Sequence, residues 1–374
     1  MRILVINWRC PKNPLAGGAE IYLHEICRRL VSRGCQITLL AERFPGSSAE
    51  DELDGVRIIR RGNKWSKWTF NWTVYRQLNA IVREGEFELV IDDLNKIPFY
   101  SPWITDRPVL VLLMHLFRTS VFQEVPAPLA AYVYLAESLI PFAYRKCRFA
   151  VLSESSRQDV VRLGIPAQNI TVVPPGTDFE RYHPAPVVQR EPIILHVGRL
   201  KKYKSTDHLL YAARRLKDKG RNFQVVIVGS GDDRPRLEKI VAKLALADRV
   251  QFTGYITEAE KIRLYQRSTV LVENSVKEGW GLIVIEANAC GTPVVVARSP
   301  GLVDSSRDGV NGFFYDYGNI EQLTEKLDLL LTDQELCRRL GNQAIDWAKQ
   351  WTWEGAVDKI YNLILGTLHG KPER

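Results

Sequence analysis

The chain of 374 residues has little cysteine and no framework for using it. Cys10, Cys27, Cys35, Cys147, Cys290 and Cys337 form no C-x-x-C pair and keep no regular spacing. That excludes a disulfide-stapled scaffold and a zinc site, and a reducing cytosol is the expected home. Long apolar runs are lacking too. The run near Val109 to Met114 falls far short of the ~20 residues a spanning helix needs. The opening MRILVINW reads as a strand without a small-residue cleavage site, so no export signal is expected. Neither Gly-rich loop carries the third glycine of the dinucleotide fingerprint, which argues against a nicotinamide dehydrogenase. Asp92-Asp93 is not a metal-binding D-x-D, and no metal is expected.

What is present is the composition of a soluble globular protein, 45% hydrophobic and 25% charged. The length exceeds one ordinary α/β core and implies two domains. A formal charge of +8 asks for an acidic partner. Nucleic acid, an anionic membrane face and nucleotide or lipid phosphates all satisfy that demand.

The most informative stretch is Ser275 to Val296, SVKEGWGLIVIEANACGTPVVV. Glu278, Gly279, Trp280 and Gly281 read as a loop, Leu282 to Ala289 as a helix stopped by Gly291 and Pro293, and Val294 to Ala297 as a buried strand. Glycines on both sides of Trp280 let the backbone approach a ligand, and the free N–H groups of the helix start suit a phosphate or sugar oxygen. Glu278 and Glu286 lie at most about 12 Å apart if the chain between them is helical. Carboxylates beside a phosphate site accept hydrogen bonds from hydroxyls on either side of it, as a sugar and a ribose would supply.

Upstream, Arg2 to Asn7 reads as a buried strand, followed by the loop Asn13 to Glu20 with Gly17 and Gly18 and by an amphipathic helix. Strand, Gly-Gly loop and helix bring backbone amides to the carboxyl edge of a parallel sheet. Gln36 to Ala41 and Val56 to Arg60 are further strands. Arg60 to Trp72, RRGNKWSKWTFNW, interleaves cations with aromatics. This segment suits an anionic membrane interface, a stacking platform for single-stranded nucleic acid, or tryptophans folded back on their own domain. Leu89 to Ile91 is a strand with Asp92, Asp93 and Asn95 at its ligand-facing end. Val109 to Met114 is another, ending in His115, with Arg118 and Glu124 on the loop beyond. Leu129 to Phe149 reads as helices packed on the sheet or lying near a membrane.

Pro184 to Pro192 reads as a linker. Beyond it, the strand Ile193 to Val197 leads into GRLKKYKS, where Arg199, Lys201, Lys202 and Lys204 form a cationic loop of the sort that holds a diphosphate. Gln224 to Val228 is followed by a second Gly-rich turn that begins at Gly229. Trp351 to Leu365 is a terminal amphipathic helix.

Glu278 to Val295, EGWGLIVIEANACGTPVV, resembles the E-x7-E signature of the retaining glycosyltransferases of family 4, and the likeness extends over most of the chain. Asn13 to Glu20 is similar to that family's P-x-x-G-G-x-E loop, and Gly198 to Ser205 to its G-R-x-x-x-x-K-G pattern, with Ser205 in place of glycine. The family's P-x-G-x-D turn is matched at Pro174 to Asp178, with Pro175 where asparagine is usual.

The resemblance implies an α/β protein of the GT-B fold, two Rossmann-like domains facing each other across a donor-binding cleft. The expected organisation is residues 1–183 on the acceptor side, a linker at 184–191, a nucleotide-sugar donor domain at 192–351, and a helix 352–366 crossing back onto the first domain. The implied activity is transfer of a hexosyl unit, with retention, from a nucleotide-diphosphate sugar to a hydroxyl. The acceptor is expected to be a glycan or lipid-linked glycan in cell-envelope or polysaccharide synthesis. His115, Glu278, Arg199 and Lys204 are the implied catalytic residues. His115 and Glu278 meet the sugar, and Arg199 and Lys204 clamp the diphosphate. Donor binding is expected to add Gly17, Gly18, Gly229, Tyr255, Ile256, Trp280, Gly281, Leu282 and Glu286, the last on the ribose. Asp92, Asp93 and Arg118 are acceptor candidates. No cofactor beyond the donor substrate and no nucleic acid are expected. The chain is expected to be cytoplasmic, with peripheral contact to an anionic inner membrane face through Arg60 to Trp72. A nucleotide-sugar epimerase or hydrolase of the same fold, or a basic nucleic-acid-binding protein, are the competing classes. Labelled-donor products and salt-dependent oligonucleotide binding separate them.

Overall fold

The computed structural model describes residues 1–63, 68–95, 97–123, 125–185 and 190–370. Glu124, Lys64 to Lys67 of the aromatic-basic segment, and residues 186–189 of the expected linker lie outside them. The chain divides into two compact units, Met1–Gly176 with Trp353–Arg374, and Thr177–Thr352.

The first unit carries eight strands. They are β1 (Arg2–Ile6), β2 (Gln36–Glu42), β3 (Glu50–Leu53), β4 (Val56–Arg61), β5 (Leu89–Leu94), β6 (Val109–Leu113), β7 (Arg148–Val151) and β8 (Ile170–Val172). They lie in the order β3-β4-β2-β1-β5-β6-β7-β8. All neighbours are parallel except β3 and β4, an antiparallel pair. β5 and β6 are buried along their whole length, as sheets covered on both faces require. Its helices are α1 (Gly18–Ser32), α2 (Trp68–Glu84), α3 (Ala127–Ser138), α4 (Ile140–Tyr144) and α5 (Glu154–Leu163).

The second unit begins earlier than the proline-rich segment suggests, because Tyr182 joins this unit's core and Phe179 packs against it. Its strands are β9 (Glu191–Val197), β10 (Gln224–Val228), β11 (Val250–Gly254), β12 (Ser268–Glu273), β13 (Val294–Ala297) and β14 (Gly312–Tyr315). All pairs are parallel, in the order β11-β10-β9-β12-β13-β14. The helices are α6 (Thr206–Asp218), α7 (Arg234–Lys243), α8 (Glu258–Arg267), α9 (Leu282–Ala289), α10 (Leu302–Ser305), α11 (Ile320–Thr332) and α12 (Gln334–Ala348). This is the doubly wound arrangement in which the strand order reverses between β9 and β12. Ligands bind such sheets at the carboxyl ends of the two strands flanking the reversal.

The terminal helix α13 (Trp353–Leu368) belongs to the first unit and packs on α1. The Tyr22 and Trp353 rings meet at 5.9 Å, the Arg29 guanidinium lies over Trp353, and Arg33 pairs with Asp358 at 2.6 Å.

Two members of the aromatic-basic segment face inward. Arg60, 1% exposed, pairs with Asp51 at 3.0 Å and hydrogen-bonds Ser48, so this cation holds the β3–β4 hairpin together and meets no membrane. Phe70 is equally buried, packed edge-on against Phe99. Trp72, by contrast, is 60% exposed. Among the described residues no helix is long and apolar enough to cross a membrane.

Candidate active site

The carboxyl ends of β9 and β12 each deliver one half of a charged cluster. After β9 the chain makes a turn that ends at Ser205, φ 47° and ψ 40°. This left-handed conformation favours glycine, which explains the residue usual at that position in the resembling family. The turn drives Lys204 inward beneath the sheet edge. Its ammonium stands 2.7 Å from the Glu278 carboxylate and 3.6 Å from that of Glu273, the last residue of β12. Burial alone would depress the Lys204 pKa, but Glu273 and Glu278 outweigh it and hold the ammonium charged above its ordinary range. Glu273 is fully buried and accepts the Ser275 hydroxyl and, at 3.2 Å, the Ser275 amide. His196, buried on β9, bridges to the Val272 carbonyl at 3.1 Å and the Thr206 hydroxyl at 3.2 Å, fixing both strand ends and the start of α6. Burial lowers its pKa, which suits a neutral ring.

Neighbouring cations divide into two kinds. Lys201 is committed to Asp232 at 2.6 Å. Arg199 and Lys202 are exposed, and Arg199 makes no ion pair with a described residue. The site therefore pairs one buried, neutralised lysine with uncommitted positive charge on its rim.

The three Gly-rich turns behind β9, β10 and β11 are zipped to one another. Gly198 N–H donates to the Val228 carbonyl, Leu200 to Ser230, and Gly229 to Gly254. A β-carbon on Gly229 would lie 2.0 Å from the Gly198 carbonyl oxygen. Gly229 is thus required for loop-to-loop contact, where the sequence suggested ligand contact. Tyr255 beyond it is 75% exposed, and Ile256 is half-buried against the core.

The Glu278–Leu282 turn enters α9 through Gly281, φ 101°, with Leu282 half-buried as the first helical residue. Trp280 departs from expectation. It is 3% exposed and packs edge-on against Trp351 at 4.9 Å, so it stiffens the turn from behind. Glu286 lies in a separate group, 3.0 Å from both Lys261 and the Tyr265 hydroxyl. Lys261 also meets Glu258 at 3.0 Å, and Tyr182 donates to Glu258. Against burial, which pulls it down, Glu286 and Glu258 raise the Lys261 pKa. The two glutamates of the signature thus each have their own lysine.

In the first unit, Gly17 is the N-cap of α1, and its N–H is already taken by Glu20 at 2.7 Å; Gly18 is exposed at the first helical position. The paired aspartates at the end of β5 are both buried, against the acceptor role expected of them. Successive residues of a strand face opposite sides of the sheet. Asp92 accepts Ser101 Oγ at 2.5 Å and the Tyr144 hydroxyl at 2.7 Å, while the Asp93 charge acts on Tyr22 and Cys27 of α1. Burial raises the Asp92 pKa to about 6.

His115 is half-buried beyond β6, its ring edge-on to Phe117 at 4.9 Å. The loop that carries it is clamped by a residue that belongs to none of the motifs. Glu137 of α3, 2% exposed, accepts the amides of Phe117 and Arg118, each at 2.7 Å. Arg118 itself is tied to α3, its guanidinium over Tyr134 at 4.2 Å and 3.0 Å from the Ser138 hydroxyl. A glutamate inside an apolar helix was the available signal for Glu137. For Glu273 it was a carboxylate closing the apolar strand TVLV.

The family model described as "Glycosyl transferases group 1" matches residues 178–347, and that described as "Glycosyltransferase Family 4" matches residues 16–181. The D-inositol 3-phosphate glycosyltransferase of Nocardia farcinica is 34% identical over 394 residues, covering 95% of this chain and 86% of that protein. A GDP-mannose-dependent alpha-(1-6)-phosphatidylinositol monomannoside mannosyltransferase of Mycobacterium tuberculosis is 24% identical, covering 98% of both. The solved sucrose-phosphate synthase of Thermosynechococcus elongatus superposes with a TM-score of 0.84 at 20% identity, covering 99% of this chain and all of that one.

Proposed function

Belonging to glycosyltransferase family 4 and the group 1 glycosyl transferases, this chain is a GT-B glycosyltransferase, and we propose that it binds its nucleotide-diphosphate sugar over the β9–β12 strand ends. The observation that carries this reading is the pairing of Lys204 with Glu278 at 2.7 Å, which brings together the two motifs the family resemblance singles out.

In this reading the leaving diphosphate meets Arg199 and Lys204, with Lys202 beside them and the amides of the α9 start near Gly281. Positive charge placed where the leaving group gains negative charge lowers the barrier, because it acts on the transition state more than on the bound donor. Side-chain cations do this work, and no metal is proposed. Glu278 accepts hydroxyls of the transferred sugar, and the Glu286–Lys261 pair meets the ribose. The family resemblance gives His115 a hydrogen bond to the transferred sugar. Retention of configuration follows from the family, by same-face attack assisted by the departing phosphate.

A hydroxyl on a glycan or lipid-linked glycan is the proposed acceptor, in line with the phosphatidylinositol monomannoside named for one relative; the other is named for a cyclitol phosphate, D-inositol 3-phosphate. Peripheral contact with a membrane is part of the proposal, carried by a surface other than Arg60 and Phe70 of the expected segment, which are buried. It is supported by Leu135, Leu139 and Phe142, exposed by 64%, 44% and 74% at helical spacing along α3 and α4. Such a row of side chains in water is costly unless something covers it.

Thermal-shift screening with UDP, GDP, ADP and their sugars tests the donor reading. One base should stabilise the protein by about 2.7 kcal/mol at about 100 times its Kd. Incubation with the labelled sugar of that nucleotide and a lipid extract should move label to an acceptor. No stabilisation by any nucleotide, or label recovered only as free or epimerised sugar, overturns it.

A further inference from the structure

The first unit carries a groove of about 210 Å³ that takes no part in the donor and His115 assignments above. It is walled by four rings, Trp72 and Tyr75 of α2, Tyr100 of the segment behind β5, and Tyr132 of α3, with Asn71 also in its lining. We propose that this groove binds a pyranose ring of the acceptor, a neutral saccharide stacked against Trp72 and Tyr132 and hydrogen-bonded to Asn71. The inference rests on the glycosyltransferase reading and names the acceptor's chemistry on the first unit.

Five observations carry it. The walls are aromatic and held in place: Arg76 lies over Trp72 at 4.7 Å, and Tyr100 stacks on Trp103 at 5.3 Å while its hydroxyl donates to the Ala136 carbonyl at 2.8 Å. Yet Trp72, Tyr75 and Tyr132 are left 60%, 41% and 48% exposed. Rigid amphipathic rings facing water bind partners at low entropic cost.

Among the described residues the lining has no Lys, Arg, Asp or Glu side chain, and the one cation against its wall, Arg76, is engaged with the Trp72 ring. A neutral occupant fits that lining. The groove is also smaller than the roughly 300–1,000 Å³ of a pocket for a drug-sized ligand, which suits one ring.

Asn71 supplies the discrimination between a sugar and an apolar chain. Its Oδ1 is buried and has no hydrogen-bond partner among the described residues, a condition that costs about 1–3 kcal/mol. A hydroxyl relieves that cost, and a hydrocarbon leaves it in place. A pyranose combines a C–H face for the rings with a hydroxyl edge for the amide. The groove also shares α3 with the clamp on the His115 loop, since Tyr132 lines one and Glu137 makes the other.

Saturation-transfer NMR on the full chain without donor tests the proposal. The probes are the methyl glycosides of glucose, mannose, galactose and N-acetylglucosamine, and hexyl β-glucoside. Ring C–H protons of at least one should receive saturation, and Trp72→Ala or Tyr132→Ala should weaken that binding about ten-fold, the worth of one stacked ring. Trp72→Phe should retain it. Both positions are exposed, and nucleotide binding by these variants should match wild type, so failure here leaves the donor reading standing. Saturation of the hexyl chain alone assigns the groove to a lipid tail and overturns the proposal. So does the absence of ring signals, or ring signals unchanged by both alanine variants.

Discussion

Gly301 and Glu278 lie so close that a β-carbon on Gly301 would stand 2.2 Å from the Glu278 carbonyl oxygen. Glu278 N–H donates to the Pro300 carbonyl at 3.0 Å, so the loop before α10 forms the floor on which the signature glutamate rests. At φ 83° and ψ −41° only glycine is at ease. Gly301→Ala should therefore cost about 2–3 kcal/mol, lowering the melting temperature by roughly 5 °C or more, and should reduce turnover by displacing Glu278. Calorimetry and initial rates check this. An unchanged melting temperature contradicts the packing described.

Lys204 stands between two carboxylates, one of them fully buried. Removing the cation strands both charges, which for buried pairs costs about 3–5 kcal/mol. Lys204→Met should lose stability on this scale. Adding Glu273→Gln to that variant should recover part of the loss. Urea midpoints of the three proteins decide the matter, and equal destabilisation in single and double variants contradicts the coupling.

Asp92 predicts a pH dependence whose sign is unusual for a carboxylate. Burial raises its pKa from 3.8 to about 6, so the native state holds this proton where the unfolded chain has lost it. Its contribution to stability is full below about pH 4 and is lost as pH rises through 6, a change of roughly 3 kcal/mol. Asp92→Asn keeps an acceptor for Ser101 and Tyr144 and cannot ionise. The variant should gain on wild type by that amount between pH 4 and 7 in denaturant titrations. A constant difference across the range contradicts the assignment.

Glu137 acts on the His115 loop through two amides, and glutamine can accept only at its one oxygen. Glu137→Gln should leave one buried N–H unsatisfied, a cost of about 1–3 kcal/mol that loosens the loop. Turnover should fall about ten-fold while nucleotide affinity stays at the wild-type value, since the proposed diphosphate and ribose contacts, Arg199, Lys204 and Glu286, all lie in the second unit. Rates and nucleotide Kd, measured side by side, check this split. Equal losses in both contradict a positioning role.

The alternation of buried strands, Gly-rich turns and amphipathic helices was legible because period and punctuation are local. So were the loops at the strand ends and the glutamate signature. Burial of single polar residues was not. Asp92, Asp93 and Trp280 sit in motif positions that suggest ligand contact, yet the packing of α4, α1 and Trp351 against them turns all three inward. Arg60 reads as a surface cation until Asp51 is brought to it by a hairpin. That hairpin was itself missed, since EDEL lacks strand character. The signal was the Asp54-Gly55 turn, whose φ angles of 49° and 76° match the positive-φ hairpin type such a dipeptide favours. Lys261 and Glu273 could not be paired with the signature from sequence alone. Their partners lie on other elements, and only the sheet order brings them together.

Titration calorimetry with the nucleoside diphosphate selected by thermal shift, and with its sugar, tests the donor site most directly. Wild type, Arg199→Ala, Lys204→Ala and Glu278→Gln should be compared. Arg199→Ala and Lys204→Ala should weaken the diphosphate and the sugar nucleotide alike, by about ten-fold or more, as expected for charge-assisted contacts of about 1.5–3 kcal/mol. Glu278→Gln should bind the diphosphate as wild type does and lose turnover. Wild-type diphosphate affinity in both cation variants would contradict the account.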